Sequence, residues 1–401
     1  MGKDLKGREL GQGIRQKKDK RYEARALVNG ISINICKANL KECKAAFEAA
    51  KQKAIENIDV RNQSITLNEW FEEWFDKYKK PHIKETSIFP MKSKYRNTFG
   101  DRIGDRRVVD IRNIDIQSAI NEMAEEGRAV SSMRDALGRV RDCLESAKNN
   151  RIISINPCFD ITVPWENKQT VRRFLTVEEQ KRFLEEVESN QNWYMEMFYI
   201  MFLTGMRVGE VGGLMWNDVD WKNRCIHIQR SLSCQYENGV KTMRLTTPKT
   251  HNSYRKIPFM GEAEQMFYSQ KEKQEKAKKN LGNRWREEQG MENLVFTSSM
   301  GSPVTRYIVE HQINKIVKDI NFAENVQSVK ENREPVLFEP VYPHAIRHTF
   351  CSRCFEKGMN PKVVQTLMGH QHYSTTVDIY THITEDVMEQ EIHKFGTAKK
   401  G

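Results

Sequence analysis

Apolar residues recur along this chain with two periods, and the switches between them divide it into three stretches. Up to about residue 62 the pattern alternates. Three β-like stretches, near Leu10–Lys17, Arg21–Val28 and Ile31–Lys37, are separated by the turns Lys18-Asp19-Lys20 and Asn29-Gly30. Asn-Gly is a strong cue for a two-residue hairpin. A helical stretch follows from about Lys41 to Ile58, so a three-stranded sheet backed by one helix is expected.

From about 64 to 163 the period becomes helical. Thr66 and Glu69 form a Thr-x-x-Glu capping box, and Leu67, Trp70, Phe71, Trp74 and Phe75 give one apolar face. Further helices are expected at Thr86–Thr98, Arg112–Glu126 and Ser131–Asn149. The last carries Arg134, Arg139, Arg141 and Lys148 opposite Met133, Leu137, Val140 and Leu144. One face can pack while the other meets phosphates or solvent. Ile155–Arg173, with Pro157 and Pro164, reads as a linker.

The third stretch, about 170–395, opens on a second capping box, Thr176 to Glu179. Met195, Met197, Phe198, Met201 and Phe202 read as core. Strands are expected at Cys225–Leu232, Thr242–Thr247 and Ser253–Pro258, a helix at Tyr307–Ile320, and helical patterning from Ala345 onward. Lys271–Glu288 reads as an exposed, charged insertion. The fold class is therefore multidomain, mainly α with small β-sheets (α+β), with expected domains at 1–62, 63–165 and 170–396.

Composition narrows the partners. Net charge is +11 over 401 residues, and residues 1–60 alone hold 14 Lys and Arg against 8 Asp and Glu. A basic N-terminal module suits a polyanion, and a small sheet can offer two strands to a DNA major groove. No run of 18 or more apolar residues occurs, and the N-terminus lacks the apolar run of an export signal, so an intracellular protein with no membrane partner is expected. Of eight cysteines, only Cys351 and Cys354 form a C-x-x-C, without the second ligand pair of a structural zinc site. No metal or other cofactor is expected.

Five features then occur in order. Arg207 follows the Thr204-Gly205-Met206 turn at a helix start. Lys249 lies in the turn Thr247-Pro248-Lys249-Thr250 between two strands. His344 and Arg347 form a His-x-x-Arg, His370 follows Gly369, and Tyr380 comes ten residues later. Singly, each has an ordinary explanation. Arg207 could pair with Glu210, Lys249 could be a solvated turn lysine, His344 and His348 could hold a metal from one helix face, and Tyr380 could simply pack. As an ordered set they resemble the catalytic domain of the tyrosine recombinase (phage integrase) family over roughly 170–395. Met368 stands where that family usually has Leu, a volume-conserving exchange.

The resemblance implies two clamp arginines at Arg207 and Arg347, a hairpin lysine at Lys249, histidines at His344 and His370, and a nucleophile at Tyr380. The N-terminal sheet and helix resemble the arm-binding domain of integrases from conjugative transposons and temperate phages, and the helical middle resembles the core-binding domain. What this implies is a site-specific recombinase that integrates and excises a mobile element through a 3′-phosphotyrosyl intermediate, without metal or ATP. Its expected partners are double-stranded DNA at core-type and arm-type sites, three further copies in a tetramer, and an accessory excision or DNA-bending protein. The expected location is the bacterial cytoplasm, at the nucleoid. A dimer-resolving recombinase or a type IB-like nicking enzyme would use the same chemistry; a non-catalytic DNA-binding regulator and a zinc-dependent hydrolase are readings of other classes.

The chemistry is consistent with those residue types. Attack on a phosphodiester builds charge on non-bridging oxygens, which planar, permanently charged guanidinium groups match with paired hydrogen bonds. A tyrosine hydroxyl of pKa about 10 is roughly a thousandth ionised near neutral pH, so it needs a base, for which His344 is the candidate. The departing 5′-oxygen needs a proton, which Lys249 can supply. His370 is suited to bonding the phosphate.

Overall fold

The computed structural model describes residues 2–28, 31–55, 64–164, 173–237, 240–248 and 253–380, and groups the chain into two units, Met1–Lys168 and Gln169–Gly401. In the first unit, β1 (Gly2–Lys3) and β2 (Glu9–Gly11) pair as a short ribbon. An antiparallel sheet follows in the order β3 (Ile14–Gln16), β4 (Tyr22–Val28) and β5 (Ile31–Lys37). The single strand expected over Leu10–Lys17 is thus two strands in two sheets. Gly13, at φ +79°, makes the break, and a Cβ there would lie 2.5 Å from the Arg25 carbonyl oxygen. The Asn29-Gly30 turn lies outside the described residues, but β4 and β5 stay in register up to it, through Val28 opposite Ile31. Helix α1 (Leu40–Ile55) covers the sheet and buries Cys43 and Phe47 with Leu10, Ile14, Ala24 and Ile33.

A separate core forms among α2 (Leu67–Trp74), α3 (Glu85–Tyr95), the short α4 (Asp101–Ile103), α5 (Asn113–Glu125) and α6 (Val130–Asn149). The expected capping box starts α2. The Thr66 hydroxyl accepts from the Glu69 N–H at 3.2 Å, and Glu69 accepts from the Thr66 N–H at 2.8 Å. Such a cap is worth about 1 kcal/mol. Trp70 donates its indole N–H to the Cys143 carbonyl at 3.0 Å, tying α2 to α6 across the core. The expected linker is packed in its first part. Cys158 is buried, Thr162 donates its N–H to Gln117 at 2.8 Å, and Ile161 and Val163 lie against the same core. Two prolines signalled irregular backbone; they carried no information on whether it was bound.

In the second unit, α7 (Val177–Ser189), α8 (Met195–Thr204) and α9 (Val208–Gly212) precede the strands β6 (Val219–Asp220), β7 (Cys225–Ile228), β8 (Ser231–Glu237), β9 (Val240–Thr246) and β10 (Arg255–Pro258). Helices α10 (Glu262–Leu281), α11 (Arg306–Glu331), α12 (Pro343–Glu356), α13 (Pro361–Met368) and α14 (Tyr373–Tyr380) follow. The strand expected over Cys225–Leu232 is two: β7 sits between β10 and β6, whereas β8 leaves to pair only with β9. The core joins Phe183, Phe198, Phe202, Ile226, Ile257, Phe267, Phe296 and Ile346, including the methionine and phenylalanine run of α8.

Lys271–Glu288 is not an exposed insertion in its first half. It continues α10, where buried Gln270 and Gln274 donate to the Val295 and Leu294 carbonyls at 2.8 and 2.9 Å, and Lys273 pairs with buried Glu196. The charge run hid one buried amide, Gln274, and begins just after another, Gln270. Helix α11 also runs a full 11 residues past the expected Ile320 and stops at Asn332, which takes a left-handed φ of +49°. Among the described residues, no helix is long and apolar enough to cross a membrane.

Candidate active site

Helix α8 ends at Gly205, whose φ of +61° is left-handed and whose Cβ, if it had one, would lie 2.3 Å from the Phe350 ring. Glycine lets the chain turn at once into α9, with Arg207 in extended backbone as its N-cap. The third residue of α9, Glu210, reaches back: one carboxylate oxygen accepts the Arg207 N–H at 2.8 Å, the other the Arg207 Nη1 at 2.8 Å. Glu210 is buried and also receives two bonds from Arg255 of β10, Nη1 at 3.0 Å and Nη2 at 2.8 Å. Burial alone would raise the Glu210 pKa, but the bonds and charges of Arg255, then the charges of Arg207 and Arg347, hold it down at about 2.

The second expected arginine, Arg347, lies one turn inside α12, which Pro343 opens. It is buried. Its Nη1 donates to the Gly205 carbonyl at 2.6 Å and its Nη2 to the Met368 carbonyl. Burial and then the neighbouring Arg207 charge pull its pKa down to about 9, which leaves it cationic at neutral pH. Among the described residues no carboxylate lies within salt-bridge range of Arg347.

A common pattern emerges at the end of α13. Arg255 Nε donates to the Leu367 carbonyl at 2.6 Å, Arg347 to that of Met368, and Arg207 Nη2 to that of Gly369 at 3.0 Å. Three consecutive carbonyls left over at a helix C-terminus are each met by a different guanidinium. These carbonyls carry partial negative charge and no formal charge, so they orient cations without neutralising them. The same turn, at Gly369 with φ +62°, delivers His370. Its Nδ1 is 2.9 Å from the Thr376 hydroxyl on α14, and Gln365 donates to its carbonyl at 3.1 Å.

Burial and the Arg347 and Arg207 charges pull His370 down to about 3, and burial followed by the same arginines and Arg306 also lowers His344. Both imidazoles are therefore neutral at neutral pH, so each can accept a proton or donate an N–H. His344 and His348 stack edge to face at 6.2 Å between ring centroids.

Arg207, Arg347 and His370 thus meet at one turn, with His344 in their field. Lys249 falls outside the described residues. Tyr380 is the last residue of α14, the helix that Thr376 ties to His370. Sequence reasoning missed Arg255 and Thr376. The signal for Arg255 was an arginine sharing the inward face of its strand with Ile257, a position that normally takes an apolar residue.

Arg255→Leu should destabilise the fold by about 3 kcal/mol, because it removes a buried ion-pair partner and leaves Glu210 only its bonds from Arg207. Arg255→Lys keeps a cation but not the paired bonds to Glu210. It should slow DNA cleavage by up to about a hundredfold with DNA affinity unchanged, since Arg207 loses its exact seating. Single-turnover cleavage alongside a mobility-shift titration checks this; a lysine variant with the parental rate would remove Arg255 from the arrangement.

The phage integrase family model matches residues 173–386, more than half of the chain, and a model of the phage-integrase N-terminal SAM-like domain matches 66–124. The chain belongs to the phage integrase family. It is 25% identical over 419 residues to the transposase from transposon Tn916 of Enterococcus faecalis, covering 99% of this chain and 97% of that one. The transposase from transposon Tn1545 of Streptococcus pneumoniae is similar to the same extent, 25% with 99% and 97% covered. Among solved structures, the Tn1549 transposon integrase in complex with a circular intermediate DNA shares the fold, with a TM-score of 0.66, 24% identity and 83% of this chain and 100% of that chain covered. A lambda integrase tetramer bound to a Holliday junction aligns with a TM-score of 0.51 at 18% identity, covering 91% and 97%.

Proposed function

We propose that this chain is a site-specific DNA recombinase of the tyrosine type, which integrates and excises a mobile genetic element. The observation that carries this is the pair Arg207 and Arg347, two guanidiniums oriented by backbone carbonyls at one turn, with Arg347 buried and in no salt bridge among the described residues. Arg207, Arg255 and Arg347 gather around the carboxylate of Glu210, so the cluster carries excess positive charge, a cost that an arriving anion offsets. A DNA phosphate is such an anion, and the paired donors fit its non-bridging oxygens.

In this reading the Tyr380 oxygen attacks the phosphorus, its proton passes to His344, and the bond from phosphorus to the 5′-oxygen breaks. Lys249 donates a proton to that leaving oxygen. With the Thr376 hydroxyl donating into Nδ1, His370 presents its Nε2–H to the phosphate. The 3′-phosphotyrosyl link conserves the bond energy, so the 5′-hydroxyl of a partner strand can displace Tyr380 without ATP. Residues 1–62 serve as the arm-type DNA-binding domain, 63–165 as the core-binding domain and 170–396 as the catalytic domain. Four copies act on two duplexes, in the bacterial cytoplasm at the nucleoid. The match to transposases along 97% of their length, basic N-terminal residues included, favours an integrase over a two-domain dimer-resolving recombinase.

The test offers the full chain a plasmid carrying the joined ends of its element and a second carrying the vacant chromosomal site, with candidate DNA taken from the flanks of the gene. Recombinant product is expected without added nucleotide. DNA that is bound specifically, yet neither nicked nor recombined, would overturn the proposal.

A further inference from the structure

Three donor side chains outside this site share one face of a hairpin. In β7, Ile226 and Ile228 point into the core at 0% and 3% exposure, so Cys225 and His227 point to the opposite side. Asp220 of β6 lies directly across the ladder from Cys225, which puts its carboxylate on that side too. The Cys225 Sγ is 3.5 Å from His227 Nε2, and His227 Nε2 is 3.7 Å from Asp220 Oδ2. All three ligand atoms fall within 4.8 Å of one another.

We infer that Asp220, Cys225 and His227 form a binding site for a zinc-type divalent ion. Zinc bonds of about 2.3 Å to sulfur and about 2.0–2.2 Å to nitrogen and oxygen, at tetrahedral angles, set edges of about 3.5–3.6 Å between S and N and about 3.3–3.5 Å between N and O. The first edge is already met and the second closes with a shift of a few tenths of an ångström. Thiolate plus imidazole selects zinc over magnesium or calcium. The Asp220 carboxylate is oriented by Asn223, whose N–H and side-chain amide donate to its two oxygens at 2.9 and 2.7 Å, the kind of outer support that metal ligands use. Asp220 and His227 are about a quarter exposed, which leaves the fourth ligand position to water. On binding, the Cys225 thiol gives its proton to solvent and its sulfur donates to the metal.

Such an ion clips β6 to β7. On its other edge β7 pairs with β10 through His227 opposite Lys256, and β10 begins at Arg255, the residue that seats Glu210. The site is therefore structural, bracing the sheet beneath the arginine cluster, and is separate from the strand-transfer residues.

The full chain, stripped of metal and kept reduced, is titrated with cobalt(II) as a visible probe. One equivalent should bind, giving a sulfur-to-cobalt charge-transfer band and the d–d bands of a tetrahedral centre, and zinc should displace it. Cys225→Ser should lose the charge-transfer band, and His227→Gln, on the solvent side of the strand, should weaken binding at least about 10–100-fold. Cys354→Ser, in the C-x-x-C of α12, should leave the spectrum unchanged. No charge-transfer band, one that survives in Cys225→Ser, or cobalt affinity unchanged in His227→Gln would overturn the inference. No DNA is present, so failure here is distinct from failure of the recombinase reading.

Discussion

Replacing Tyr380 with phenylalanine is expected to abolish covalent capture of DNA while leaving DNA binding at the parental affinity. The exchange removes one oxygen and keeps the ring, so α14 keeps its length and Thr376 its bond to His370. No other group in the cluster replaces the lost nucleophile. Arg207 and Arg347 are guanidiniums, and in the proposed reaction the two imidazoles move a proton and bond the phosphate. Loss of the adduct should therefore be complete and independent of pH. A suicide substrate nicked beside the cleavage site, analysed under denaturing conditions next to a mobility shift, reads both quantities. A Tyr380→Phe protein that still formed the adduct would move the nucleophile elsewhere.

The second large effect belongs to Arg347. Arg347→Ala should slow cleavage by at least about 10²–10³-fold, the usual loss for one preorganised donor at a developing oxyanion. Its effect on stability should be small and of either sign, within about 2 kcal/mol. Removing the side chain leaves the Gly205 and Met368 carbonyls without their donor, but it also removes a buried cation that forms no salt bridge among the described residues. Thermal melting and single-turnover cleavage of one preparation separate the two. A variant whose activity fell only in proportion to its folded fraction would mark Arg347 as a structural residue. Arg347→Lys should recover little of the rate, because a point charge cannot make the paired bonds of the planar fork.

How far the sequence could be read depended on how local each signal was. Both capping boxes, at Thr66 and Thr176, formed as their spacing required, because a cap is decided within four residues. Arg207 likewise sits where the Gly205 turn and the Glu210 spacing put it. The break between β7 and β8 was not visible, since both strands alternate and only their partners differ: β10 and β6 for one, β9 for the other. Gln274 lies in the charged run expected to be exposed, and its burial rests on a carbonyl 20 residues away. The same holds at the site. Residue type and order singled out Arg207, Arg347 and His370, which meet at one turn, but the three carbonyls of Leu367, Met368 and Gly369 that hold the arginines are backbone atoms, which no residue pattern can signal.

The most direct test of the central claim is to locate the bond. The full chain is trapped on nicked cognate DNA, digested with nuclease and protease, and the peptide carrying a residual 3′-phosphonucleotide is sequenced by mass spectrometry. The account predicts that this mass lies on the peptide containing Tyr380, and that the Arg207→Ala and Arg347→Ala proteins bind the same DNA but yield almost none of it. A phosphonucleotide attached to any other side chain, or undiminished yield without those arginines, would contradict it.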